Sequence, residues 1–236
     1  MNNSTLSNLK KEISKFTNPE KAKILQRFFK TGIGEYGEGD IFLGITVPQI
    51  RGIVKSNLSL QLNEIQNLLN SKFHEERLSG LLILVKQFEA TKNKDELLEF
   101  YLANTTKINN WDLVDLTAPN ILGSYLLENS DKINLLYSLA KSESLWERRI
   151  SIVSTYAFIR QNKFKDTLKI SKILLDNKED LIHKAVGWML REVGKRDKKI
   201  LEKFLEENYS NIPRTTLRYA IEKFLPIERK SWLLKK

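Results

Sequence analysis

Residues 180–194 read DLIHKAVGWMLREVG, and this stretch decides the fold. Ile182, Ala185, Val186, Met189, Leu190 and Val193 recur at helical spacing, so one side of a helix is continuously apolar and has to be covered by a core. Trp188 lies off that stripe. It falls in the row Lys184, Trp188, Arg191, Lys195, which places one tryptophan among three cations on the opposite face. A large indole is costly to leave in water, so it needs a partner. Two partners suit it: the next helical repeat, with the basic side chains reaching out to solvent, or a base or sugar flanked by phosphates. The second reading makes Lys184, Arg191 and Lys195 DNA-binding residues.

Outward from this helix the same spacing continues almost throughout, interrupted by only ten glycines and five prolines. The pattern is all-α. Asn18 before Pro19, Thr46-Val47-Pro48-Gln49 and Ser144-Leu145-Trp146-Glu147 each read as a helix start, the last two in capping-box form. The segments RLSGLLIL, DLVDLTAP, RISIVSTY, KAVGWMLR and RYAIEKFL align so that Arg77, Asp112, Arg149, Lys184 and Arg218 share a register, with successive separations of 35, 37, 35 and 34. A drifting period of this size, with two helices per unit, fits HEAT-like repeats better than tetratricopeptide repeats; a generic helical bundle is the alternative. The expectation is a right-handed α-solenoid or superhelix forming one domain over 1–236, with N-terminal helices in 1–56 and a repeat core over about 60–236. Equivalent positions on successive second helices would then line one face.

Composition narrows the function classes. There is no cysteine, which excludes disulfides, thiolate metal sites, iron–sulfur clusters and a cysteine nucleophile. The two histidines, His74 and His183, match no ligand spacing, so no metal and no cofactor is expected. No stretch reaches the roughly 18 to 20 apolar residues of a membrane span, and MNNSTLSNLKKEISKF lacks a signal-peptide apolar region, so a cytoplasmic protein is expected. A net charge of +10 points to a polyanionic partner or to a lysine-rich genome, and only the placement of the charges separates the two.

Three further segments bear on chemistry. Gly32-Ile33-Gly34-Glu35-Tyr36-Gly37 satisfies the glycine pattern of a dinucleotide-binding turn, but a helix-like KAKILQRFFK precedes it and Glu35, Glu38 and Asp40 surround it with negative charge. A flexible connection between helices is expected there instead. In Asn110-Trp111-Asp112-Leu113-Val114-Asp115, Trp111 and Asp115 are four apart and share a helix face. Asp112, in the first turn, suits a structural role at the helix N-terminus. Asp115 lies off the Val114, Ala118, Ile121, Tyr125 stripe, as a group for chemistry or as a buried hydrogen-bonded aspartate. Arg149 can fork onto a phosphate, or pair with Glu147 or Asp112.

The motifs NWDLVD, LWERR and KAVGWMLRE, in this order and near repeat spacing, resemble the AlkD-like DNA alkylation repair family. The resemblance extends from NPEKAKILQRFF through FLGITVPQIR to the last motif. It implies a HEAT-like solenoid whose basic concave surface holds duplex DNA. The implied activity is that of a monofunctional glycosylase acting on cationic N3- and N7-alkylated purines without drawing the base into a deep pocket, unlike base-flipping enzymes. Family residues that contact the deoxyribose match Trp111, Trp188 and Asp115, and the phosphate-contacting arginine matches Arg149. Phe28 stands where the family can place a tyrosine near DNA, and Thr46 where it can place a glutamine.

These residue types suit the implied reaction. A purine alkylated at N3 or N7 is already cationic and leaves without strong acid assistance, so the enzyme chiefly stabilises oxocarbenium character on the sugar. The Asp115 carboxylate can do this and orient the water. The indoles of Trp111 and Trp188 can offer π-faces and exclude bulk water, while Arg149 and Lys184 position the strand through phosphates. A noncatalytic DNA-structure-binding paralogue and a protein-binding HEAT scaffold are the competing functions. A monomer acting on duplex DNA is expected.

Overall fold

The structure, a computed structural model, describes residues 5–235. Among these residues the regular elements are helical, and β pairing is limited to an isolated parallel bridge between Ile41 and Phe73. No helix among them is long and apolar enough to cross a membrane. The chain forms two compact units, Met1–Thr117 and Ala118–Lys236.

The first unit contains α1 (Leu6–Ser14), α2 (Pro19–Phe28), α3 (Val47–Lys55), α4 (Leu62–Leu69), α5 (His74–Ala90), α6 (Asp95–Ala103) and α7 (Trp111–Thr117). Its helix starts follow from local chemistry. Asn18 Oδ1 accepts the Lys21 N–H at 3.0 Å with Pro19 in the first helical position, and Gln49 Oε1 accepts the Thr46 N–H at 2.9 Å. Helix α5 is apolar on nearly every side, with Leu78, Leu81, Ile83, Leu84 and Phe88 buried, because α3, α4 and α7 pack around it.

The second unit begins with a π-helical turn, Pro119–Gly123. It continues through α8 (Ser124–Glu128), α9 (Asn134–Ala140), α10 (Leu145–Ser154), α11 (Tyr156–Arg160), α12 (Lys165–Leu174), α13 (Asp180–Gly194), α14 (Lys198–Asn208), α15 (Arg214–Ala220) and α16 (Pro226–Leu234). Helix α13 is its centre. The six stripe residues expected from sequence are all at most 1% exposed, under α10, α12, α14 and α15. Gly187 permits the closest of these contacts: a Cβ there would lie 2.5 Å from Tyr219 Cβ and 2.7 Å from the Thr216 carbonyl oxygen. Glycine is therefore what brings α15 against α13.

The five register residues each fall in a helix, namely α5, α7, α10, α13 and α15. They do not share one exposure: Arg77, Asp112 and Arg149 are buried, whereas Lys184 is partly and Arg218 largely exposed. The register marks equivalent places on helices, and at the first three the polar group is turned inward to a hydrogen-bonding partner. Equivalent sequence position does not give equivalent solvent access.

Candidate active site

Trp111 opens α7 half-buried, and the residues on either side of it are tied down. Asn110 Oδ1 accepts the Trp111 backbone N–H at 2.9 Å. Asn109 Nδ2 donates to Asp40 Oδ1 at 3.0 Å and Asn110 Nδ2 donates to Asp40 Oδ2 at 3.4 Å. On the other flank, Asp112 Oδ2 lies 2.8 Å from His74 Nε2, and Asp112 Oδ1 accepts the Leu113 N–H at 2.9 Å. The indole itself stacks on Phe29, with centroids 5.0 Å apart and planes at 13°. Phe29 and Phe42 stack in turn, and both rings lie against the imidazole of His74. Such offset aromatic contacts contribute beyond area burial and fix ring planes.

Beneath the rings lies a buried ion cluster. His74 Nδ1 is 3.1 Å from Asp40 Oδ2, so both ring nitrogens face carboxylates, and only the imidazolium donates to both. Arg77 Nη2 donates to Asp40 Oδ1 at 2.6 Å, and its Nη1 to the Ser71 carbonyl at 3.0 Å. Two carboxylates face two cations, so the buried charges are mutually compensated. Burial alone would lower the His74 pKa, but the charge and hydrogen bond of Asp112 and the bond to Asp40 outweigh it and raise the value to about 9. Burial would raise the Asp40 carboxyl, and the bonds and charges of His74 and Arg77, with Asn109, hold it below the usual carboxylate value.

Asp40 comes from the glycine-rich acidic loop, which differs from the flexible connection expected from its sequence. Backbone bonds dock it beside α5: the Ile41 N–H donates to the Lys72 carbonyl and the His74 N–H to the Ile41 carbonyl. Glu75 then accepts the N–H groups of Leu43, Gly44 and Ile45 at 2.8, 2.9 and 3.1 Å. Even the loop's own acids are occupied, since Glu35 accepts the Gly32 N–H and Glu38 the Gly34 N–H. The acidic residues order the loop rather than leaving it as a charged tether.

Asp115 sits one turn beyond Trp111 on α7 and is half-buried. Its charge reaches the fully buried Tyr101 phenol, whose pKa is raised by burial first and also by Asp115. The phenol bonds Thr117 Oγ1 at 3.0 Å. Phe28 is 61% exposed and meets Trp111 edge-on, with centroids 6.0 Å apart. Thr46 lies at the N-terminus of α3, where its hydroxyl donates to Gln49 Oε1 at 2.7 Å. The structure thus brings together Phe28, Trp111 and the polar cluster, and it assigns Thr46 a capping bond.

In the second unit, Trp188 is half-buried against Tyr156, with centroids 5.9 Å apart, and the Arg160 guanidinium lies 4.4 Å over the Tyr156 ring. The cations of its row are paired with acids: Lys184 with Asp180 at 2.7 Å, Arg191 with Glu192 and Glu222, and Lys195 with Glu192 at 2.8 Å. Arg149 is buried, and its Nη1 donates to the Leu181 carbonyl at 2.6 Å, joining α10 to the start of α13.

Sequence reasoning missed Asp40, His74, Tyr156 and Arg160 as members of these neighbourhoods. A charged HEER segment at the head of the apolar α5 was the one available signal for His74, because such charges need buried partners.

The class of this protein follows from its similarity to known families. Residues 9–224 match the family model described as DNA alkylation repair enzyme, and the chain belongs to that family. Its role is DNA repair. Among solved structures it is similar to the "Predicted DNA alkylation repair enzyme from Enterococcus faecalis", with a TM-score of 0.73 and 18% identity over 89% of this chain and 97% of that one. At this identity the likeness shows a shared fold. No curated protein matches the chain.

Proposed function

We propose that this protein is a monofunctional DNA glycosylase that hydrolyses the N-glycosidic bond of cationic N3- or N7-alkylated purines in duplex DNA, using a HEAT-like superhelix and leaving the base outside any deep pocket. The observation that carries the reading is the arrangement on α7: a half-exposed indole, immobilised on both flanks, with the carboxylate of Asp115 one turn away.

In this reading the C1′–N bond breaks with its electron pair going to the base, which leaves neutral because it was cationic. Positive charge grows on the sugar, and Asp115 opposes it with a fixed negative charge while Trp111 presents a π-face and excludes water. A water molecule adds to C1′, and Asp115 accepts its proton. In the second unit Trp188, Arg149, Lys184, Arg191 and Lys195 offer DNA contacts that position the strand rather than read sequence.

The test is base release from a methylated duplex. Wild type should liberate 3-methyladenine or 7-methylguanine, and Asp115→Asn should slow release by about 100-fold. Equal release by the two proteins rejects Asp115 as the catalytic group. Salt-sensitive duplex binding with no base release by wild type rejects the glycosylase and leaves a DNA-binding protein.

A further inference from the structure

We propose that Asp40, delivered by the glycine-rich acidic loop, is a positioning residue for Trp111, acting through Asn109, Asn110 and His74. The inference rests on the reading of Trp111 as a substrate-contacting residue and gives the loop a role within that site.

Four hydrogen bonds converge on Asp40. Its two carboxylate oxygens are shared among Asn109, Asn110, His74 and Arg77, all but Arg77 and His74 lying in the two residues that precede Trp111. His74 carries the link to the far flank, since its other ring nitrogen holds Asp112, the residue after Trp111. The ring cluster of His74, Phe42 and Phe29 supports the indole face. Asp40 is therefore one hydrogen bond from both asparagines and one imidazole from Asp112.

The loop is built to reach this place. A Cβ on Gly37 would lie 2.5 Å from the Phe29 carbonyl oxygen and 3.3 Å from Asn110 Nδ2, so only glycine lets the loop close on Asn110 and the end of α2. Glu35 and Glu38 accept loop N–H groups, which leaves Asp40 as the carboxylate turned into the protein. The charged groups facing the cluster are Asp40 from the loop, His74 and Arg77 from α5, and Asp112 from α7. Removing the Asp40 charge leaves Arg77 and His74 with one carboxylate between them and weakens the bonds that the Asn109 and Asn110 side chains make to Asp40.

The experiment uses the full chain labelled with 5-fluorotryptophan, which carries four tryptophans, the Trp111 fluorine signal being assigned by Trp111→Phe. In Asp40→Asn and in Gly37→Ala the Trp111 signal should move or broaden while those of Trp188 and Trp232 hold their positions. Single-turnover base release should fall by about 10- to 100-fold, as expected for a misplaced contact group. Duplex Kd should change by less than about threefold, because phosphate contacts dominate affinity. Combining Asp40→Asn with Trp111→Phe should cost little beyond the larger single effect, since the two act as a unit. Folded variants with an unmoved Trp111 signal, or losses that simply add, overturn the proposal. If Asp40→Asn does not fold, Asn109→Ala removes one Asp40 bond and is read in the same way. Wild type that releases no base rejects the glycosylase reading, and the fluorine signal then decides the positioning by itself.

Discussion

His74 Nε2 and Asp112 Oδ2 lie 2.8 Å apart, and this bond ties the first turn of α7, one residue after Trp111, to the first residue of α5. A buried imidazolium between two carboxylates is thereby part of the support of the proposed active site.

Stability should decline at alkaline pH as a result. The His74 pKa is raised from 6.5 to about 9 on folding, so its contribution is fully present below the unfolded value and is lost as pH rises through the folded one. The loss is on the order of 3 kcal/mol. Urea unfolding at a series of pH values from neutral to alkaline should show the midpoint falling over this window, and His74→Gln should flatten the fall. A wild-type midpoint indifferent to pH across it contradicts an imidazolium. Asp40, held below its usual value, gives the opposite limb: its contribution is present above the unfolded carboxylate pKa and is lost as pH falls through the folded value.

Glu75→Gln should destabilise the first unit by about 2 kcal/mol, because charge-assisted bonds to three N–H groups become neutral or are lost. Those groups, on Leu43, Gly44 and Ile45, have Glu75 as their acceptor. Limited proteolysis should then cut first between residues 31 and 46. Unchanged cleavage would mean the loop is held without Glu75.

Gly187→Ala should cost about 1–3 kcal/mol through overpacking, since the obstructing atoms include backbone that cannot rotate away. The added methyl would meet Tyr219 and the Thr216 carbonyl across the contact of α13 with α15. Thermal unfolding of the variant measures this directly, and a Tm equal to wild type shows that α15 yields at no cost.

Glu222→Gln should tighten duplex binding by about 2- to 5-fold and steepen its salt dependence, provided that the α13 row meets phosphates. Arg191 is paired with Glu222 in the free protein, and a phosphate has to displace that partner. Fluorescence anisotropy at two salt concentrations reads both effects. Weaker or unchanged binding removes Arg191 from the DNA-contacting residues.

Local features were legible in the chain. Caps at Asn18 and Ser144 and the box at Thr46 act on groups three residues away, and the six-residue stripe of α13 is set by helix periodicity. The placement of Trp188 off that stripe was legible for the same reason, and its aromatic partner Tyr156 was not, because Tyr156 lies on a different helix. The loop carrying Asp40 is the connection between helices that its sequence indicates, but the hydrogen bonds that dock it were not legible there. Glycines and acids describe a mobile linker equally well until the acceptors of the N–H groups and the partners of the carboxylates are known.

The sequence alone determined an all-helical chain with its apolar stripes, helix starts and basic balance, together with motifs sufficient to place it in the DNA alkylation repair family. These depend on residue spacing and on neighbours within a turn or two. Only the tertiary structure decided that Asp40, His74, Arg77 and Asp112 are buried together around Trp111, across separations of up to 72 positions between Asp40 and Asp112. Such a pairing has no period to read. Desolvation makes each charge unfavourable by itself, so the partners are fixed by which groups the folded backbone brings within hydrogen-bonding distance.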